Sequence, residues 1–322
     1  MKMLAPIILF TFNRPEHTRR TVGALVKNEF ASESDLIVFC DGPRNSGDKT
    51  RICEVHEYVD GIKGFLSVKV IKHETNLGLA QSVINGVTTV VNEYGSAIVL
   101  EDDLITSPYF LRYMNDGLRT YANNGKVASI VGWIPQLDIK DPPETFFLKG
   151  TDCWGWATWT RAWSKFEPDA KKLVMSIRKQ KLEHEFNCDS SINSIGILEN
   201  FIEGKCSTWA LRWEASIFLA NMYSLFPGRP LVDNIGFDGT GTHCGEENDF
   251  SVSVARAPVK VTDMPVVVND EMRLAINCFL RKANGSEKRP YYKSILTLAK
   301  RMIQTSYTYY GDKMKGWLRN ER

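Results

Sequence analysis

The first hundred residues repeat one pattern: a short, almost wholly apolar run, a polar break, then a stretch long enough for a helix. The apolar runs are Pro6 to Phe12, Asp35 to Cys40, Ser67 to His73 and Ala97 to Leu100. Runs with little polar alternation suit parallel strands covered on both faces. Helices are predicted between them, from Pro15 through Leu25, from Lys49 to Val59 and from Gly78 to Glu93. Strand and helix alternating through short connections predict an α/β fold with a mostly parallel, Rossmann-like sheet flanked by helices. Ligands of such sheets sit beyond the carboxyl ends of the strands. That rule selects Thr11 to Arg14, Asp41 to Arg44 and Glu101 to Asp103, polar segments that each follow a strand.

The rest of the chain is patterned differently. Residues 144 to 166 hold Phe146, Phe147, Trp154, Trp156, Trp159, Trp163 and Phe166. Trp159 and Trp163, four apart, read as the core side of a helix. Residues 170 to 205 read as polar helices with a loop at Asn187 to Asn193. A further helix runs from Trp209 to Met222, capped by Ser207 or Thr208. A strand near Tyr223 to Phe226 precedes a glycine-rich loop, Asn234 to Cys244. With 322 residues, 43% of them apolar, the chain can bury a substantial core, and no repeat or linker divides it.

A net charge of +2 excludes a chain built as a polyanion binder, and no nucleic-acid recognition motif is present. The seven cysteines are odd in number and lack CxxC spacing, which fits a reducing compartment and argues against zinc or a disulfide framework. Without a signal peptide or a membrane-spanning run, the expectation is a cytoplasmic protein. The carboxyl-terminal stretch is basic, with eleven Lys and Arg against three acidic residues from Ile276 onward. Ile295, Leu298, Met302 and Ile303 fall on one face of a predicted helix there. This tail reads either as a peripheral attachment to the anionic inner face of a membrane or as a packed terminal helix with solvated lysines.

Glu101-Asp102-Asp103 is the sharpest chemical feature. Adjacent carboxylates at a strand end repel one another unless cations or donors neutralise them. Hard divalent ions such as Mn²⁺ or Mg²⁺ choose carboxylate oxygen and share it with a diphosphate. The alternative is a helix cap, with Asp102 and Asp103 at the start of a helix over Ile105 to Asn115. Arg14, just before a proline-started helix, suits a phosphate. Asp41, before Gly42-Pro43, is open to a ligand role or to an Asx turn; Asn76, before Gly78, reads as a ligand contact or a turn residue.

The stretch NLGLAQSVINGVTTVVNEYGSAIVLEDDLITSPYFLRYM resembles glycosyltransferases of the GT-A fold, in particular the inverting N-acetylglucosaminyltransferase I-like group and its bacterial relatives, whose long helix, strand and EDDL motif it parallels. The resemblance implies that Asp103 is the metal ligand and that Glu101 and Asp102 contact the nucleotide. PIILFTFNRPEHTRRTVGAL is similar to the family's first strand and nucleotide loop, which implies Thr11, Asn13 and Arg14 near the base and phosphates. LIVFCDGPRN is similar to its second strand, which implies that Asp41 accepts from a uracil imide. GTDCWGWATWTRAWSKF resembles the segment where donor and acceptor sugars meet, which assigns Trp154, Gly155 and Trp156 to the acceptor. The loop NIGFDGTGTHC is similar to a glycine-rich loop ending in histidine, which assigns His243 to the metal or the diphosphate.

An inverting transfer also needs a carboxylate to deprotonate the acceptor hydroxyl. Where the family carries an acid near the start of a helix, this chain has Ser207, Ala210 and Leu211. Glu214 is the nearest acid, Asp152 the next, and Asp238 lies in the glycine-rich loop. The reading is a metal-dependent transferase moving a sugar from a UDP-sugar to a carbohydrate or lipid-linked oligosaccharide acceptor, in bacterial surface polysaccharide, lipopolysaccharide or capsule assembly. Residues 1–115 form its nucleotide-sugar half, 116–270 its acceptor and catalytic half, and 271–322 a basic helical tail. The rival readings are a sugar nucleotidyltransferase, disfavoured because FTFNRPEH lacks a glycine-rich basic loop, and an inactive nucleotide-sugar or glycan-binding protein.

Overall fold

The computed structural model describes residues 4–239 and 249–284. Its first half follows the apolar runs closely: β1 (Ile7–Thr11), α1 (Pro15–Leu25), β2 (Asp35–Cys40), α2 (Lys49–Asp60), β3 (Ser67–Lys72), α3 (Leu79–Tyr94) and β4 (Ser96–Glu101). Pro15 occupies the first turn of α1, where its missing N–H costs nothing and its fixed φ suits the helix. Then come β5 (Leu104–Thr106), α4 (Phe110–Thr120), β6 (Val127–Val131), β7 (Thr145–Lys149), β8 (Trp156–Trp159) and α5 (Thr160–Trp163). Helices α6 (Ala170–Lys179), α7 (Glu183–Phe186), α8 (Ser194–Ile202) and α9 (Ala210–Leu219) lead to β9 (Tyr223–Pro227), β10 (Val232–Asn234) and α10 (Asp270–Ala283). None of the described helices is long and apolar enough to cross a membrane.

Eight strands form one mixed sheet in the order β3-β2-β1-β4-β8-β6-β9-β7. The pairs β3-β2, β2-β1 and β1-β4 are parallel; β8 runs antiparallel to both β4 and β6, and β7 antiparallel to β9. The twofold alternation of each strand divides its side chains between two cores. Ile7 and Leu9 pack with Val22, Leu25, Val55 and Val59 on the face of α1 and α2. Ile8 and Phe10 pack with Val83, Val87, Trp156 and Trp213 on the face of α3 and α9. Strand β3 is at the sheet's edge, half exposed, with Lys69 and Lys72 along it, as edge strands require to deter further pairing.

Two local expectations are corrected. The chain after Asp103 enters β5, and the next helix starts only at Phe110, so Asp102 and Asp103 cap no helix. Strand β5 is claimed by β10, which pairs antiparallel with it from Val232↔Thr106 to Asn234↔Leu104. Trp159 and Trp163 are core residues, but Trp159 closes β8 while Trp163 lies in the one-turn α5. The helix expected over 209–222 is the shorter α9, with Trp209 rather than Ser207 or Thr208 at its cap position, although Thr208 Oγ1 accepts from Leu211 N at 3.3 Å.

Asp41 and Gly42 tie the ends of β2 and β3 together. A Cβ on Gly42 would lie 2.5 Å from the carbonyl carbon of Thr75, a backbone contact no rotamer relieves. Gly42→Ala is expected to cost about 1–3 kcal/mol, read as a lower thermal unfolding temperature by circular dichroism.

Candidate active site

Register places the polar segments side by side. Phe10 of β1 is paired with Glu101 of β4, so Phe12 to Arg14 and Glu101 to Asp103 leave neighbouring parallel strands at their carboxyl ends. Trp156 opens β8 opposite Val99, which brings the preceding residues to the same edge. The β5–β10 ribbon adds the start of the glycine-rich loop: Ile235 N donates to Asp103 O at 2.9 Å, and Gly236 packs so closely on the Asp103 carboxylate that a Cβ there would collide with it. Further along, Asp238 Oδ2 lies 3.1 Å from His17 Nε2 on α1. His243 and the tail from residue 285 lie outside the described residues.

Arg14 joins the two strand ends. Its Nη2 donates to Asp102 Oδ1 at 2.5 Å and to Asp103 Oδ2 at 2.8 Å. Asp102 also accepts from Phe12 N at 3.3 Å, and its carbonyl from Thr21 Oγ1 at 2.7 Å. Both aspartates are buried, at 4% and 7% exposure, so without a cation their charges would be severely destabilising. Burial works to lower the Arg14 pKa, but Asp102 and Asp103 outweigh it and the net shift is upward. Burial also raises Asp102, with Arg14 opposing.

Glu101 has no hydrogen-bond partner among the described residues. Burial first, then Asp103 and Asp102, push its pKa to about 8. Asp152 lies on the connection from β7 to β8 and accepts from Trp154 N at 2.7 Å; burial raises it to about 7. Glu214, on α9, packs its Oε1 against Gly150, and burial with the charge of Asp152 raises it to about 8. Cys153 lies among Asp152, Glu101 and Glu214, and burial and these acids push its thiol upward. The two acids read from the sequence as candidate bases thus sit together and next to the strand-end motif.

Other expected contacts are differently placed. Asp41 is saturated: Oδ1 accepts from Gly42 N and Leu77 N, Oδ2 from Asn76 Nδ2 and Gly78 N, at 2.8–2.9 Å. A carboxylate offers about four acceptor sites, so none is left for a uracil imide, and Asp41 instead builds the 76–78 loop. The amide nitrogen of Asn76 is likewise engaged, by Asp41 and the Gly42 carbonyl. Thr11 is buried, its hydroxyl turned to Cys40 Sγ and the Phe39 carbonyl. Asn13 donates to Asp48 Oδ1 at 2.6 Å, alongside Arg44, which pairs with Asp48 and stacks 4.9 Å from the Phe12 ring.

The acceptor segment divides too. Trp156 has no exposed surface and sits amid Trp163, Trp209 and Trp213, so its ring belongs to the core. Gly155 is buried at φ 66°, its position filled by Val232 and Phe110, and it serves close packing. Trp154 alone of the three is partly exposed, edge-on to Trp133, Phe237 and Phe250. The aromatic wall of Trp133, Phe237 and Phe250, the Gly150 contact and the His17–Asp238 pair were not anticipated; they join positions far apart in the chain, and no local pattern announces them.

A divalent ion fits this chemistry in one way only. Acidic side chains outnumber the one guanidinium at this edge; burial raises Glu101, Asp152 and Glu214, and neighbouring carboxylates add to the shifts of Glu101 and Glu214. Yet no group of three His, Cys, Asp or Glu side chains among the described residues could by itself cage an ion. Magnesium-like ions bound through one or two carboxylates take their other ligands from phosphate and water.

No protein-family model matches the sequence, and no curated protein matches it. Among solved structures it is similar to S. aureus TarS in complex with UDP-GlcNAc, at 15% identity over 45% of this chain and 38% of that one, with a TM-score of 0.30. The match to another TarS structure spans 25% of that chain, at 14% identity over 45% of this one and a TM-score of 0.30. A mannosyltransferase from Pyrobaculum calidifontis, PcManGT, in complex with GDP-Man and Mn²⁺, is 7% identical over 68% of this chain and 69% of that one, with a TM-score of 0.37.

The shifted acids set a pH dependence. Each holds a proton in the folded chain that the unfolded chain releases above its ordinary pKa, 3.8 for Asp152 and 4.5 for Glu214. Their contribution to stability is therefore complete at low pH and lost as pH rises through about 7 to 8, by up to about 1.4 kcal/mol per pH unit for each group. Urea unfolding of the ligand-free protein is expected to show stability falling from about pH 5 to about pH 8, and Glu214→Gln to flatten that fall.

Proposed function

We propose that the protein is a glycosyltransferase that takes a sugar from a nucleoside diphosphate, UDP first among the candidates, and passes it with inversion to a hydroxyl of a carbohydrate acceptor. The observation that carries this reading is the meeting of Arg14, Glu101 to Asp103, Asp152, Glu214 and Trp154 at the carboxyl edge of a mostly parallel sheet. The strand ends supply the donor side and the 150–154 segment the acceptor side. Trp154 offers a ring face to the apolar C–H surface of a sugar. A divalent ion, Mn²⁺ or Mg²⁺, would be held by Asp103 with Glu101 beside it, and supplies charge neutralisation for the leaving diphosphate.

The remaining work falls to this chain's own groups. A base acts best when its pKa lies near the working pH, and Glu214 at about 8 and Asp152 at about 7 meet that condition. One of them takes the acceptor proton as the hydroxyl attacks the anomeric carbon, and the other keeps it oriented. The start of the glycine-rich loop lies against Asp103 through Ile235 and Gly236, which supports assigning that loop, and His243 by its sequence, to the diphosphate. In this reading residues 1–115 bind the donor and 116–270 the acceptor, and the basic stretch within 271–322 holds the enzyme near lipid-linked or surface-polysaccharide acceptors.

Incubating the full chain with Mn²⁺, UDP-GlcNAc or GDP-Man and an acceptor panel tests the reading. Asp103→Ala is expected to lower transfer at least about 100-fold. Of Glu214→Gln and Asp152→Asn, the one replacing the base lowers kcat by about 10²–10⁴-fold. Pyrophosphate release from UTP and a sugar phosphate would assign a nucleotidyltransferase instead. Donor binding without transfer or hydrolysis would leave a binding protein.

A further inference from the structure

Arg14 holds the strand-end carboxylates in an unusual way. Guanidinium and carboxylate commonly meet fork to fork, through two parallel N–H bonds. Here a single nitrogen, Nη2, serves both Asp102 and Asp103. Nη1 is buried and has no hydrogen-bond partner among the described residues. The side chain therefore shares one positive charge between two aspartates while leaving part of its donor capacity unspent, which is costly for a buried charge. Its backbone is firmly placed: Arg14 O accepts from Thr18 N at 3.0 Å and Thr18 Oγ1 at 2.9 Å, and Pro15 follows. That backbone placement does not depend on the guanidinium, because both bonds are made to the Arg14 carbonyl.

The charge balance supplies the reason to turn. Asp103 Oδ2 is held by Arg14, while Oδ1 makes no hydrogen bond among the described residues. The nearby Arg44 is committed to Asp48. A diphosphate arriving at this edge thus meets acidic groups whose guanidinium is already in use. A divalent ion alone meets a carboxylate already shared with a fixed cation. Together they remove both obstacles, because the ion neutralises Asp103 and releases a guanidinium for phosphate.

We propose that Arg14 is a place-holding cation: it occupies Asp103 until a divalent ion and a nucleoside diphosphate bind, then transfers its guanidinium to the phosphates, so that ion and nucleotide bind far better together than apart. The inference rests on the nucleotide-sugar reading and names how that site is loaded. Arg14 is here a positioning residue for the ion, acting through Asp103, and a direct contact of the diphosphate. Coupling of this kind is reciprocal, so Mn²⁺ strengthens UDP binding by the same factor as UDP strengthens Mn²⁺ binding.

The experiment is a binding cycle by titration calorimetry on the full chain, with Mn²⁺ alone, UDP alone and UDP in saturating Mn²⁺. For the wild type a coupling factor of about 30-fold or more is expected. Arg14→Met is expected to bind Mn²⁺ alone at least about tenfold more tightly, and its coupling factor to fall below about fivefold. Arg44→Met removes the same charge from the same edge without freeing Asp103, and should change Mn²⁺ affinity by less than about threefold. Should Arg14→Met not fold, Arg14→Met combined with Asp102→Asn removes one of the two uncompensated charges, leaves Asp103 for the ion and carries the same expectation. Unchanged Mn²⁺ affinity and coupling in the Arg14 variants, or equal gains in Arg14→Met and Arg44→Met, would overturn the proposal while leaving nucleotide binding intact. A wild type that binds no UDP even with Mn²⁺ would sink the nucleotide-sugar reading, and this inference with it.

Discussion

Two buried aspartates and one arginine hold the working edge of this protein together. Asp102 and Asp103 follow β4, Arg14 follows β1, and the strands are neighbours in register. Removing one member of such a group leaves an uncompensated buried charge, a far larger penalty than the intact group gains. The bond therefore specifies geometry more than it adds stability. It sets the distance between the segment after β1 and the acidic motif, and Phe12 N and Thr21 Oγ1 on Asp102 reinforce the same placement.

The carboxyl groups of this edge fall into two kinds, and the distinction separates scaffold from chemistry. Asp41 and Asp48 are filled with donors from their own surroundings, which secures the 76–78 loop and the 44–48 turn. Glu101 and Glu214 lack such donors among the described residues and Asp152 has only backbone N–H groups of its own turn; burial shifts all three upward, and neighbouring carboxylates add to the shifts of Glu101 and Glu214. Fully bonded carboxylates cost little and do nothing further. Carboxyls left short of donors in a partly desolvated cleft cost stability, and such groups gather where ligands or protons are handled.

Much of the fold could be read along the chain because its strands are continuous apolar runs and its helices carry clear starts. Pro15 marked the beginning of α1, and the Asp35 to Cys40 run matched β2 at both ends. The Glu101 to Asp103 motif with Arg14 was legible for the same reason: each lies where an apolar run stops. What escaped depends on partners distant in sequence. Asp41 stayed open between a ligand role and a turn because its donors from Leu77 and Gly78 come from the far side of a strand and a helix. Trp156 looked like a sugar platform because residue type cannot say which face of β8 it takes, and α9 turns out to cover that face with Trp209 and Trp213. The cap reading of Asp102 and Asp103 failed because β10, more than a hundred residues later, pulls the following residues into a ribbon.

That ribbon carries a mechanical consequence. Asp103 is hydrogen-bonded through its carbonyl to Ile235 and touched at its carboxylate by Gly236, so the glycine-rich loop is registered on the motif it would serve. Asn234 Oδ1 accepting from Gly236 N shapes the turn, and His17 against Asp238 ties the next residues back to α1. Residues 234–238 are thus aligned with the strand-end carboxylates from two directions, β5 on one side and α1 on the other. The same stretch brings Phe237 edge-on against Trp154, so the segment that touches Asp103 also packs into the aromatic wall. The strand-end motif and the aromatic wall are thus joined through one short segment, at a glycine placed where any side chain would collide with Asp103.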